Sequence, residues 1–589
     1  MNSYAGNRGP RPGPVDEETP RANHPVHRSA FPNAVSADRK LDLSPLTGPI
    51  GGIQPGLAYA PPVRPTLHLR PSESFRATLS GSLCGVWLAM LVLALPAGAE
   101  ISTPFAIHSH EIQGLIRQVW TFRVSVCEHA SVDLLILSTI GGPPNQEKRL
   151  TWMPCGSALI PDDPRIVERA LPDETVVVDV ARMPGRSGPQ LFLVSANGIR
   201  IEALDSADPP REIEIPGGLP LPYRPWEISR IPIVEDWDDL GLPTALVPAL
   251  RGAWLVDLQS GAARMIELPV YAEYRTYMPH LPATVSKWML QDVTWPTLAR
   301  ADDNGDGRID LFALSRWAIW IYHTGPEGLP DEPSRRIELV PFDEEEERTH
   351  QATANNYFAR DINGDGLADL FLSTIGGGLM DGRSTARIYL NSGSGISVEG
   401  KPDAERVLEG GFSSFTFVDV DGDGRDEMLE TSLEFSILQI VRFLLTRRAE
   451  TQVRILRLDA SQPDGTRTVF EDDFSFRLDF GENSLTGLVP SLGDWNGDGV
   501  KDFYVARGTD EITFRMGSKV PGEPLFGPPV GRQPVPLPGG ESRVADLDGD
   551  GLDEIISFND RDPELPLIVL ENLGTLPGTQ PSMTPIDPD

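Results

Sequence analysis

Residues 302–310 read DDNGDGRID, and the same frame returns four times downstream. It stands as DINGDGLAD at 361–369, DVDGDGRDE at 419–427, DWNGDGVKD at 494–502 and DLDGDGLDE at 546–554. In each copy positions 1, 3, 5 and 9 carry oxygen-bearing side chains, and position 6 is glycine. Two eroded copies lie upstream: DWDDLGLPT from Asp236, and a longer loop after Asp179 that runs to Pro189. The seven leading aspartates are 57, 66, 59, 58, 75 and 52 residues apart, a mean period near 61. A unit of that length is a supersecondary repeat, not a thin solenoid rung.

The spacing has a physical reason. A hard cation such as Ca2+ takes six to eight oxygens at about 2.3–2.6 Å in a flexible shell. Side chains at positions 1, 3 and 5 of a tight turn point inward, position 7 offers its carbonyl, and position 9 returns a carboxylate. Glycine at position 6 lets the chain reverse where another residue would strain. In the first intact loop the expected ligands are Asp302, Asn304, Asp306, the carbonyl of Arg308, and Asp310. The next two loops offer Asp361, Asn363, Asp365, Leu367 and Asp369, then Asp419, Asp421, Asp423, Arg425 and Glu427. The last two offer Asp494, Asn496, Asp498, Val500 and Asp502, then Asp546, Asp548, Asp550, Leu552 and Glu554. Together the loops predict about five Ca2+ sites. Mg2+ demands a smaller octahedron and keeps more water, so it suits the loops less.

EF-hand and dockerin loops share the first five positions but need a carboxylate at position 12 and a helix on each side. Position 12 here is Ala313, Leu372, Glu430, Val505 and Ser557, so four of five fail. The residues after position 9 are instead LFAL, LFLS, MLET, FYVA or IISF, apolar runs of strand length. Extended segments precede the loops, such as SSFTFV before Asp419. Two more strands fill each period, as AIWIYHTG and SRRIELVPF do after DLFALS. Four short strands per period, separated by turns, make a propeller blade. The fold class is all-β: a β-propeller of seven or eight four-stranded blades with calcium-binding DxDGDGxxD loops. Seven leading aspartates give seven blades. QVWTFRVSV (118–126), VDLLILS (132–138) and KRLTWM (148–153) either add an eighth without metal or help complete the last, which lacks a fourth strand after LIVLEN. Helical content should be slight, and the stretch Phe435–Leu445, apolar enough for a helix, reads better as an extended blade strand.

The five loops, each between strands, resemble the FG-GAP/VCBS repeats of integrin α-subunit propellers and of many bacterial exported proteins. The resemblance covers about Val176 to Leu573, with the incomplete copies at Asp179 and Asp236. It implies a Ca2+-bearing propeller with its metal loops on one face.

The ends read differently. Residues 1–74 are Pro-rich without apolar periodicity and are expected to be a disordered arm, or a start codon assigned too early. Residues 75–99 have the form of a secretory signal: Arg76, the apolar run Leu83–Leu95, and Ala97-Gly98-Ala99 as the cleavage site. Cys84 opens that run, so a lipoprotein anchor is not supported. The propeller is assigned to 100–573 and a disordered tail to 574–589. Cleavage leaves no transmembrane segment and predicts an exported protein: extracellular, cell-surface or periplasmic. Cys127 and Cys155 would then be the remaining cysteines, open to pairing or to burial as free thiols.

The whole chain carries a net charge of −34; residues 100–589, with 42 basic and 79 acidic side chains, carry −37. Such a surface repels phosphate backbones, so nucleic acid is not an expected partner. No HExxH, GxSxG, phosphate-loop or CxxC motif is present. His108 and His110 read as a solvated terminus rather than a metal pair, and the acidic run Asp343–Glu347 as a solvated loop. Two stretches stand out as candidate binding surfaces: YAEYRTYMPHLP, which contains His280, and the insertion Arg447–Phe480. Two function classes remain. One is a non-enzymatic binding, adhesion or scaffold module for a protein or glycan ligand. The other is a calcium-dependent carbohydrate-active enzyme of the propeller polysaccharide lyase kind, which the scarcity of lysine makes the lesser reading.

Overall fold

The computed structural model describes residues 104–578 except 126, 128–130, 142–145, 187, 207, 221–227, 278–287, 316–317, 340–353, 377–381, 435, 447, 480–483, 487–490, 508–510, 521–522 and 535–540. The Pro-rich arm, the signal, Cys84, His129, His280, His350, the run Asp343–Glu347 and the end of the tail therefore lie outside the described residues.

The apolar runs after position 9 decide the architecture. A strand without polar alternation has to be buried on both faces. Strands Thr244–Pro248, Asp310–Leu314 and Glu554–Phe558 are buried at every position. Successive side chains leave a strand on opposite faces, so each such strand feeds two cores. Leu311 and Ala313 pack with Trp237 and Leu246 on one side, while Phe312 and Leu314 pack with Tyr357 and Leu370 on the other. Repetition of this pattern closes a ring.

Eight antiparallel blades span 115–170, 177–214, 234–266, 297–338, 354–409, 411–486, 491–534 and 541–572. Eight hydrophobic cores lie one between each neighbouring pair, including the pair formed by the last blade and the first. Each blade is built on four strands, and short fifth strands, Ser229–Arg230 and Ser484–Thr486, flank the second and sixth.

Ring closure settles the blade count at eight. The strands upstream of Asp179 form a complete first blade, and Phe105–His110 pairs antiparallel with Leu567–Asn572 as the fourth strand of the last. His108 and His110 are thus not on a solvated terminus. His108 Nε2 lies 2.7 Å from a Glu571 carboxylate oxygen, and His110 Nε2 lies 2.6 Å from the Ala158 carbonyl. At the other end Leu576 is buried in the core between the seventh and eighth blades, so packing extends past 573.

The stretch expected as an extended strand at 435–445 is instead a helix, Ile437–Thr446. A capping box explains it: the Gln439 N–H donates to Ser436 Oγ at 3.1 Å, and the Ser436 N–H donates to Gln439 Oε1 at 2.9 Å. The insertion after it is not separate from the blade. Arg448–Leu458 and Thr466–Asp479 are the elongated third and fourth strands of the sixth blade. The aromatic linker forms a hairpin, Tyr271–Tyr277 with Trp288–Thr294, between the third and fourth blades. Cys127 and Cys155 are joined by a disulfide in the first blade.

Phe105 tests the closure. It is buried, stacks on Phe514 at 5.2 Å, and its N–H donates to Gln533 Oε1 at 3.2 Å. Phe105→Ala is expected to cost about 3–5 kcal/mol in denaturant unfolding. A loss below about 1 kcal/mol would mean that the closing strand contributes little.

Candidate metal centre

Each intact loop winds around the carboxylate that opens it. Its Oδ1 accepts the N–H of the position-4 glycine at 2.7 Å in all five loops. Its Oδ2 accepts the N–H of the position-6 glycine at 2.8–3.1 Å. The position-5 aspartate accepts the position-7 N–H at 2.8–2.9 Å. Short aspartate side chains favour such turns. The turns draw the acids together: in the Asp419 loop, carboxylate oxygens of Asp419, Asp421 and Glu427 lie within 4.8 Å of one another. Asp546, Asp548 and Asp550 do the same in the last loop.

Position 9 is the anchor. Asp310, Asp369, Glu427, Asp502 and Glu554 are all fully buried. One oxygen of each accepts the position-2 N–H of its own loop at 2.7–3.0 Å. The other oxygen of Asp310, Asp369 and Asp502 accepts an N–H just past the third strand, from Thr324, Asn391 and Gly517, at 2.7–2.9 Å. The side chain therefore clamps loop to blade. Burial raises all five, with neighbouring loop acids adding to it: Asp369 to about 6, Asp502 to about 7 and Glu554 to about 9.

The first blade has no aspartate loop yet keeps this clamp. Asp133 is fully buried and accepts the N–H groups of Val124, Ser125 and Cys155 at 2.8–3.2 Å. Sequence reading passed over it. The available signal was an acid opening the apolar run VDLLILS, the same place that position 9 holds downstream.

Neighbouring loops are joined through their backbones. The position-8 N–H groups of Ala368, Asp426, Lys501 and Asp553 donate to the carbonyls of Asp302, Ile362, Val420 and Asp494 in the preceding loop, at 2.7–2.9 Å. Two position-4 glycines are required by this contact: a Cβ on Gly364 or Gly422 would meet the carbonyl oxygen of Gly424 or Gly499 at 2.6 or 2.7 Å. Position 4 was assigned no role from the sequence.

The eroded copies differ. Asp179 does not open a loop; it lies within strand Val177–Arg182, where its carboxylate accepts the Ile233 and Val234 N–H groups and pairs with Arg230 at 3.2 Å. Asp236 caps its own turn, accepting the N–H groups of Leu240 and Gly241, and Asp238 pairs with Arg264.

The all-oxygen donor sets fit a hard cation. In the Asp419 loop one guanidinium competes: Arg457 pairs with Asp421 Oδ2 and, at 2.7 Å, with Glu427 Oε1. The remaining oxygen, Asp421 Oδ1, is buried without a hydrogen-bond partner, as an unused ligand atom would be.

Residues 361–429, from the Asp361 loop through the Asp419 loop, match the FG-GAP-like repeat family model. The chain is thus an eight-bladed β-propeller in which residues 361–429 are similar to an FG-GAP-like repeat. No curated protein sequence matches it. Among solved structures, the Vibrio cholerae biofilm matrix protein Bap1 is similar at 10% identity and TM-score 0.30, over 82% of this chain and 92% of that one. BBS1N, solved in complex with ARL6DN, is similar at 10% identity and TM-score 0.31, over 69% and 94%. At those scores neither bears on what this chain binds.

A carboxyl whose folded pKa lies above its unfolded value near 4 holds its proton more tightly when folded, so metal-free stability falls as pH rises through the folded value. Melting of the metal-free protein should therefore drop progressively as pH rises through about 6, 7 and 9 for Asp369, Asp502 and Glu554. A metal-free melting temperature that climbs over this range would contradict the burial of these groups. The loop glycines give a second measurement. Gly422 and Gly424 both have positive φ, 72° and 84°, but only Gly422 abuts a neighbouring carbonyl. Gly424→Ala should cost about 1–2 kcal/mol from backbone strain alone, and Gly422→Ala measurably more in the same unfolding assay.

Proposed function

We propose that this chain is an exported, calcium-binding β-propeller that acts as a non-enzymatic binding or scaffold module for a protein or glycan partner. The observation that carries it is the repeated loop, which in two copies brings three carboxylates within 4.8 Å of one another: Asp419, Asp421 and Glu427, and Asp546, Asp548 and Asp550. Without a cation these carboxylates repel one another; a divalent ion supplies the missing positive charge. The Cys127–Cys155 disulfide supports an oxidising compartment, and exported compartments hold enough calcium to fill weak sites. A ring of eight blades leaves wide loop surfaces on a rigid support, the usual place for partner recognition in such folds.

Chelation is expected to lower the melting temperature by many degrees, and added Ca2+ to restore it; an identical melting curve in chelator would defeat the metal reading. The export reading has its own measurement. N-terminal sequencing of the protein recovered outside the cytoplasm should begin at Glu100, and a mature chain that retains Met1 would overturn it.

A further inference from the structure

A cleft of about 560 Å³ opens between the Asp361 and Asp419 loops, a size that suits a small organic ligand. Three arginines line it, Arg425, Arg457 and Arg467, with Leu390 and Leu458 among the apolar residues. Two of the three are available. Arg425 is exposed and has no ion pair among the described residues. Arg467 is 57% exposed, and its carboxylate partner, Asp459, stands at 4.0 Å. The third is occupied, since Arg457 bridges Asp421 and Glu427.

Those two carboxylates are cation ligands under the calcium reading proposed above, on which this inference rests. A guanidinium hydrogen-bonded to both uses oxygens that a cation would need, so the two occupancies oppose each other. The acids lining the cleft, Asp365, Asp423, Asp426 and Glu427, outnumber its arginines by one. A divalent cation in each flanking loop would reverse that balance and make the cleft attractive to an anion.

We infer that cation loading of the Asp419 loop releases Arg457 into this cleft, which then binds a small organic anion through Arg425, Arg457 and Arg467. The recognised chemistry is an oxyanion, a carboxylate or a sulfate, on a molecule no larger than an acidic monosaccharide. Linkage makes the effect mutual, so the anion tightens calcium binding by the same factor.

The test uses the full exported chain, freed of metal by dialysis because a chelator is itself a polycarboxylate. Sodium glucuronate and sodium sulfate are titrated calorimetrically with and without Ca2+, and melting is monitored in parallel. Saturable glucuronate binding is expected in Ca2+, weaker by about tenfold or more without it. Sulfate binding in place of glucuronate would assign the site to sulfated ligands. Arg467→Gln should weaken binding by about fivefold or more while the calcium-induced rise in melting temperature persists. Arg457→Gln should weaken anion binding and enlarge the calcium-induced rise, which a purely structural arginine would not do. If Ca2+ leaves melting unchanged, the metal reading falls and the gating with it. If Ca2+ raises melting but neither anion binds, the anion site alone is overturned, and equal affinity with and without Ca2+ overturns the gating.

Discussion

The structure depends on a carboxylate placed at the mouth of a strand that is buried on both faces. Such a strand can enter the ring only through a turn whose backbone N–H groups are satisfied away from water. Asp310, Asp369, Glu427, Asp502 and Glu554 supply that satisfaction, each accepting its own position-2 N–H. Burying an ionised carboxyl is costly, and the raised pKa values record it. The cost is offset in part by backbone hydrogen bonds to the charged form, and under the calcium reading by a cation as well.

This anchor organises the rest of the ring. The strand beyond it divides its side chains between two cores, so no blade can be removed without exposing half of two interfaces. Around the loop face, the position-8 N–H to carbonyl bonds tie each loop from Asp361 onward to the one before it. Loops joined in that way cannot shift independently.

Much of this was legible in the sequence because two periodicities coincide. The aspartate spacing marked the turns, and the unalternating runs LFAL and IISF marked strands with no solvent face. Features that depend on distant partners were hidden. Arg457 lies 36 residues from Asp421, so its competition for a ligand set is invisible in any local motif. The ring-closing partner of Phe105 is at Asn572, a pairing that only the closed ring reveals. The helix Ile437–Thr446 escaped for a different reason: its apolar composition suits helix and strand alike, and the capping pair Ser436 and Gln439 that decides between them went unread.

Comparison among the blades separates two roles that the motif merges. The first blade has no acids at positions 1, 3 and 5 of a loop, yet Asp133 makes the same backbone clamp and the blade packs as fully as any other. The third blade places Thr244 where position 9 would be, and its turn is held by Asp236 instead. In these two blades a buried acceptor at the strand entrance, or a self-capped turn, stands in for the intact motif. Where position 9 supplies the acceptor, positions 1 and 5 curl the loop; in the third blade position 1 itself caps the turn. Their recurrence in five consecutive blades, each opening carboxylate accepting the N–H of its position-4 glycine, is what the calcium reading proposed above accounts for.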